Sequence, residues 1–283
     1  MTAPHSPSLP PIGSAAYPPA PCPSPVPEGS RTVLAHRGAS ALAPENTLAS
    51  FRRAGEVGAA WVELDVDVIA DGTVIVIHDS SLDRTTASSG SYYGLTAVDL
   101  PDLDAGSWFT AEDGSHPFAG EPVPPLRAAL EVVAEAGMGV NVELKSCAAG
   151  AEASRRLVEG VAALLDEHAE RAGAGEVLVS SFNPVLLDRM GRRRPGTRLA
   201  VLTERGLLLD DWRSYVEMIG AEAVNPADEG LSRDRVEEIR SLGYGVNVWT
   251  VNSRERAEEL FGWGVTGIFT DRVHELGALG ERA

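Results

Sequence analysis

From Thr32 onward, short β-branched runs alternate with Ala-, Arg-, Glu- and Leu-rich stretches of helical period. This repeated strand-then-helix order is what most limits the fold. The strand candidates are residues 32–36 (TVLAH), 61–69 (WVELDVDVI), 73–78 (TVIVIH), 140–145 (VNVELK), 177–181 (VLVSS), 198–203 (RLAVLT), 221–225 (AEAVN), 245–251 (GVNVWTV) and 267–271 (GIFTD). Between them lie the helix candidates ENTLASFRRAGEVG, LRAALEVVAEAG, AEASRRLVEGVAALLDEHAERAG, NPVLLDRMGRRRP, LSRDRVEEIRSLG and SRERAEELFGWG, with none between residues 203 and 221. Several end at Gly, the residue that best closes a helix. Such alternation predicts a parallel sheet with helices outside it. Eight or so units in about 250 residues favour the (β/α)8 TIM barrel over an open sheet.

Two segments break the rhythm. Residues 79–124 hold no clear helix and are rich in Gly, Ser, Asp and Pro. A loop that long is usually functional or a small subdomain, so it is expected to be an insertion after the second or third strand. At 61–78, two strand runs are joined only by Ala70-Asp71-Gly72, which signals a hairpin. With Asp71-Gly72 as a two-residue turn, Ala70 faces Thr73 and Asp65 lies opposite His78. Nine strand candidates then fill eight barrel places and one antiparallel partner. Residues 1–30 hold ten of the chain's 19 prolines and few large apolar side chains. They are expected to be a disordered tail, with the barrel domain spanning 31–283.

Composition narrows the function. There are 41 acidic and 24 basic residues, for a net charge of −17. That balance argues against a nucleic-acid partner and against adsorption to an anionic membrane. It leaves an anionic substrate open, because a cation and a few Arg side chains can reverse the field within a cleft. Of the bases only Lys145 is a lysine. Two cysteines, Cys22 and Cys147, cannot form a disulfide-rich scaffold. No apolar run is long enough for a membrane span. No signal-peptide pattern is present at the N-terminus, which gives a cytoplasmic expectation. The sequence does not indicate an oligomeric state.

In WVELDVDVI successive side chains point to opposite faces. Glu63, Asp65 and Asp67 share one face; Val62, Leu64, Val66 and Val68 share the other. The plain reading is a half-exposed strand with a wet polar face. Like charges that close repel, however, and such a cluster is comfortable around a divalent cation. His36, followed by Arg37, ends the first strand, and Glu143, Lys145 and Trp249 lie near other strand ends. In a barrel those ends form the active face. Any one of these residues alone is more simply a packed or solvated side chain; their convergence is not. Two imidazoles suit acid and base roles near neutral pH, and Arg37 offers a planar fork for phosphate oxygens. The set fits phosphodiester cleavage.

The strings LAHRGASALAPENTLASF and VELDVDVIADGTVIVIHDSSLDRTT resemble the glycerophosphodiester phosphodiesterase family. LDAGSWF, PVPPL, VNVELK, VSSF, VNVWTVN and GIFTD follow in the family's order, over roughly residues 31–275. The resemblance implies a TIM barrel with a small insertion and metal-dependent hydrolysis of glycerophosphodiesters to glycerol 3-phosphate and an alcohol, within glycerol and lipid metabolism. It implies His36 and His78 as general base and acid, and Glu63, Asp65 and Glu143 as ligands of one divalent cation, Mg²⁺ or Ca²⁺. It implies Arg37 and Lys145 on the phosphate, Glu45 and Asn46 shaping the site, and Phe182 and Trp249 lining the alcohol or glycerol side. Asp67 is not among the family's usual ligands. PVPPLRAAL lacks an acidic pair frequent in the family, and TDRVHEL lacks a common Pro; both bear on substrate range. The rival functions are a lysophospholipase D-like phosphodiesterase and a non-catalytic phosphoester-binding barrel.

Overall fold

The computed structural model describes residues 26–171, 173–204 and 211–280. Eight parallel strands form a closed barrel: β1 (Thr32–Ala35), β2 (Trp61–Val68), β4 (Gly139–Leu144), β5 (Val177–Ser181), β6 (Arg198–Thr203), β7 (Ala223–Pro226), β8 (Gly245–Val248) and β9 (Gly267–Thr270). β1 closes the ring by pairing with both β9 and β2. The additional strand β3 (Val74–Val76) lies antiparallel on the upper part of β2, beyond the reach of β1. Helices α1 (Leu48–Glu56), α2 (Leu126–Glu135), α3 (Ala151–Ala169), α4 (Pro184–Arg193), α5 (Trp212–Ile219), α6 (Arg233–Ser241), α7 (Arg254–Trp263) and α8 (Val273–Leu276) follow the barrel strands in turn. The expected TIM barrel is the observed fold. No helix among the described residues is long and apolar enough to cross a membrane.

The two faces of β2 divide as their alternation requires. Val62, Leu64, Val66 and Val68 join the main apolar core with helix residues such as Phe51, Leu130, Leu157 and Leu165. Glu63, Asp65 and Asp67 point the other way, and all three are buried. The same division holds on β4, where Val140, Val142 and Leu144 enter the core. Local signals begin several helices. The Thr47 hydroxyl accepts from Ser50 N at α1, and Asn183 caps α4 just before Pro184. Ser232 and Ser253 do the same for α6 and α7. These short polar side chains satisfy amide groups that the first helical turn leaves unpaired.

Three local features differ from the sequence expectation. The β2–β3 hairpin pairs Val66 with Val76 and Val68 with Val74, one residue out of the expected register. Its loop is Ala70-Asp71-Gly72, with Ile69 N–H donating to the Thr73 carbonyl at 3.0 Å. Gly72 has φ +91°, as a three-residue loop favours. Asp71 then accepts from Thr73 N and Ala97 N. Asp65 therefore faces Ile77, whose N–H donates to the Asp65 carbonyl, and not His78. α5 was not expected; only Trp212 and Val216 are buried on it, too few for a readable apolar stripe. A 3-10 helix over Ala97–Asp102 stands in the segment expected to lack one. The expected tail falls mostly on residues 1–25, outside the described residues. Val26 N–H donates to the Gly243 carbonyl at the lower end of the barrel.

The insertion has its own small core, in which Leu82, Tyr92, Leu100, Leu103 and Val123 join Ile75 and Ile77. Asp67 ties it to the barrel. The Asp67 carboxylate accepts from Tyr92 Oη at 2.7 Å, Tyr93 Oη at 2.6 Å, Cys147 Sγ at 2.7 Å and Val68 N at 2.7 Å. Burial first, and then Asp67, push the Cys147 thiol well above the usual thiol range, so it serves as a donor and not as a nucleophile. Removing one partner of a buried anion leaves part of its desolvation cost uncompensated. Tyr92→Phe should therefore lower stability by about 1–2 kcal/mol in urea unfolding; an unchanged midpoint would show that the remaining donors suffice.

Candidate active site

β2 and β4 pair in parallel with Glu63 beside Asn141 and Asp65 beside Glu143. Their inward faces thus put three carboxylates in one place: ligand oxygens of Glu63, Asp65 and Glu143 all lie within 4.8 Å of one another. Burial, reinforced by the neighbouring Asp65 and Glu143, raises Glu63 well above the usual carboxylate range. Burial and Asp65 likewise push Glu143 up to about 7. Asp65 goes the opposite way. Burial opposes its ionisation, but Lys145 and Arg37 together hold it well below the usual range. Lys145 Nζ lies 2.7 Å from Glu143 Oε1 and 3.3 Å from Asp65 Oδ1. Arg37 Nε is 3.3 Å from Asp65 Oδ2.

The turn after β1 is shaped around this cluster. Arg37 and Asn46 both have φ +57°, a left-handed conformation that non-glycine residues seldom hold without compensation. The compensation is visible. Arg37 N–H donates to Glu63 Oε2 at 2.9 Å, and Asn46 N–H donates to the Arg37 carbonyl. Asn46 Nδ2 donates to Asp65 Oδ2 at 2.8 Å. Gly38 has φ +86°, and a Cβ placed there would lie 2.3 Å from Ser50 Oγ. Ser50 Oγ in turn donates to the Arg37 carbonyl.

Above the carboxylates opens a cavity of about 840 Å³. Its walls include His36, Arg37, Glu63, His78, Glu143, Lys145, Phe182 and Trp249. His36, Lys145, Phe182 and Trp249 are each the first residue past a strand, β1, β4, β5 and β8 respectively. His78 arrives differently, two residues beyond β3. Phe182 and Trp249 stack edge to face with centroids 5.6 Å apart. Asp65, Glu45 and Asn46 do not line the cavity. Asp65 and Asn46 are both buried, and Glu45 accepts from Arg37 Nη1 at 2.7 Å. His5 lies outside the described residues, while His116, His168 and His274 stand apart from the cavity.

Each imidazole has a carboxylate behind it, and neither partner was singled out from the sequence. His36 Nδ1 lies 2.8 Å from Asp271 Oδ1, and His78 Nδ1 lies 2.6 Å from Asp79 Oδ1. Asn252 Nδ2 and Ser40 Oγ also donate to Asp271. Against the effect of burial, the His36 contact and these bonds bring Asp271 down to about 2. Burial lowers His78 from the usual imidazole value. The strings HD and GIFTD held the signal for both partners. Arg84, from the insertion, bonds both Asp79 and Glu45.

The donor set fits a hard divalent cation. It is all carboxylate oxygen, with no thiolate or imidazole among the three, which suits Mg²⁺ or Ca²⁺ chemistry.

The sequence profile of the Glycerophosphoryl diester phosphodiesterase family matches residues 36–275. The chain belongs to this family. It is an enzyme of the phosphoric diester hydrolase class. It is 34% identical over 245 residues to the glycerophosphodiester phosphodiesterase of Caldanaerobacter subterraneus, covering 86% of this chain and 95% of that protein. It is 33% identical to the glycerophosphodiester phosphodiesterase of Bacillus subtilis, covering 84% and 83%. Among solved structures, it resembles an Oleispira antarctica phosphodiesterase in complex with the product sn-glycerol-3-phosphate. That match has a TM-score of 0.80 and 31% identity, with 87% of this chain and 95% of that one covered.

Gly38→Ala tests the local geometry. Strain at a positive φ and the Ser50 overlap should together cost roughly 2 kcal/mol or more in urea unfolding, and an unaltered midpoint would contradict the close approach.

Proposed function

We propose that the chain hydrolyses glycerophosphodiesters to glycerol 3-phosphate and an alcohol, with His36 as general base and His78 as general acid. The observation that carries this reading is the cavity itself. Two carboxylate-backed imidazoles, an Arg and a Lys surround one volume above three clustered carboxylates. A silent phosphoester-binding barrel has no use for two oriented imidazoles, and membership of a phosphodiesterase family supports the enzymatic reading.

Arg37 and Lys145 hold the phosphate oxygens. Glu45 keeps the Arg37 fork in place, and Asn46 orients Asp65. Phe182 and Trp249 line the alcohol or glycerol side. Glu63, Asp65 and Glu143 would hold one divalent cation, Mg²⁺ or Ca²⁺, which when bound would supply positive charge to polarise the phosphate.

Asp271 takes the Nδ1–H of His36, which leaves Nε2 free to accept a proton. The attacking oxygen, from water or the free glycerol 2-hydroxyl, gives that proton to His36 as its bond to phosphorus forms. The bond from phosphorus to the alcohol oxygen breaks, and His78 delivers a proton to the departing alkoxide. An unprotonated alkoxide leaves poorly, so both roles are needed near neutral pH. Attack by the 2-hydroxyl gives a cyclic phosphate, which water then opens.

His36→Ala and His78→Ala should each lower kcat on glycerophosphocholine by at least about 100-fold, and chelation should abolish turnover until Mg²⁺ or Ca²⁺ is returned. Phosphorus NMR follows the products directly. Turnover of a lysophospholipid with none of glycerophosphocholine would favour the lysophospholipase D-like alternative. Wild-type rates in both His variants would contradict the acid–base roles.

A further inference from the structure

Arg84 sits in the turn that opens the insertion, about half exposed. Its guanidinium makes four bonds to two carboxylates. Nη1 and Nη2 donate to Glu45 Oε2 and Oε1 at 2.7 and 2.8 Å. Nε and Nη2 donate to Asp79 Oδ2 and Oδ1 at 2.7 and 2.9 Å. Each carboxylate also holds a residue of the cavity wall. Glu45 Oε1 accepts from Arg37 Nη1, and Asp79 Oδ1 meets His78 Nδ1.

We propose that Arg84 is a positioning residue that fixes the His78 imidazole relative to the Arg37 guanidinium by clamping Asp79 and Glu45 at one spacing. The proposal rests on the reading of His78 as general acid and Arg37 as phosphate holder.

A planar fork sets the separation of two carboxylates in a way a point charge cannot. The fork is itself held. Leu82 N–H donates to the Gly90 carbonyl, Gly90 N–H to Asp83 Oδ1, and Thr86 Oγ1 to the Leu82 carbonyl. Leu82 is anchored among Ile77 and Tyr92 in the insertion's core. The turn is therefore a fixed platform for the Arg84 side chain.

The two arms of the clamp are unequal. Without Arg84, Glu45 still pairs with Arg37. Asp79 would keep only its contact with His78 and could swing away with the ring. Loss of Arg84 should thus fall on proton delivery to the leaving group more than on phosphate binding. Exposed ion pairs contribute little to stability, so the variants should fold.

The test compares two diesters in the metal-loaded full chain. Glycerophosphocholine releases an alkoxide that must be protonated. The p-nitrophenyl ester of glycerol phosphate releases a phenolate stable enough to leave without a proton. Arg84→Gln should lower kcat about tenfold on the choline ester and less than about threefold on the nitrophenyl ester, with little change in KM. Arg84→Lys should lie between Gln and the parent. A merely structural defect would lower both substrates alike. An equal loss on both esters, or no loss, beside a leaving-group-selective His78→Ala, would overturn the clamp and leave the acid assignment standing. If His78→Ala also treats both esters alike, the acid assignment falls and the clamp falls with it.

Discussion

Glu63, Asp65 and Glu143 bring three carboxylate oxygens within 4.8 Å of one another inside a barrel that buries all three side chains. Withdrawing a carboxylate from water costs several kcal/mol even after relaxation, and neighbouring like charges add to that. The strand register makes the clustering unavoidable, because Asp65 and Glu143 are paired across β2 and β4. Much of the surrounding structure answers this one constraint. Arg37 turns to a positive φ and gives its N–H to Glu63. Asn46 and Arg37 both reach Asp65. Lys145 places a compact ammonium between Asp65 and Glu143. Gly38 lets the turn close against Ser50.

The two imidazoles enter this centre from separate directions. His36 is fixed from β9's end through Asp271, itself held by Asn252 and Ser40. His78 is fixed through Asp79 at the root of the insertion. The insertion is therefore more than a decoration of the barrel rim. Tyr92 and Tyr93 fasten it to Asp67, and Arg84 carries it back to Glu45. Rigid strands present the charges, and loops at their C-terminal ends complete the site, which is the usual division of labour in this fold.

The alternation of apolar and polar residues made β2 legible, because its two faces meet different solvents of the fold: helix-side core and barrel interior. The same logic located His36, Lys145 and Trp249 at strand ends. What escaped the sequence depended on tertiary context. The hairpin register turned on one extra loop residue, stabilised by the Asp71 side chain reaching Ala97 far along the chain. Even so His78 reached the cavity, since it lies past the paired strand. α5 escaped because Trp212 and Val216 are its only buried positions. Arg84 escaped because its partners lie 39 residues and five residues away in sequence, and no local pattern joins them. Lys145 stood out by its rarity as well as by its strand end, and its ammonium lies between two carboxylates.

On the proposed reading, the carboxylate cluster seats a cation facing two acid–base imidazoles. Anomalous diffraction from crystals grown with Mn²⁺ and glycerol 3-phosphate should then show one peak about 2.0–2.6 Å from oxygens of Glu63, Asp65 and Glu143, with the phosphate against Arg37 and Lys145. A peak elsewhere, or an ordered phosphate with no metal at the cluster, would contradict it.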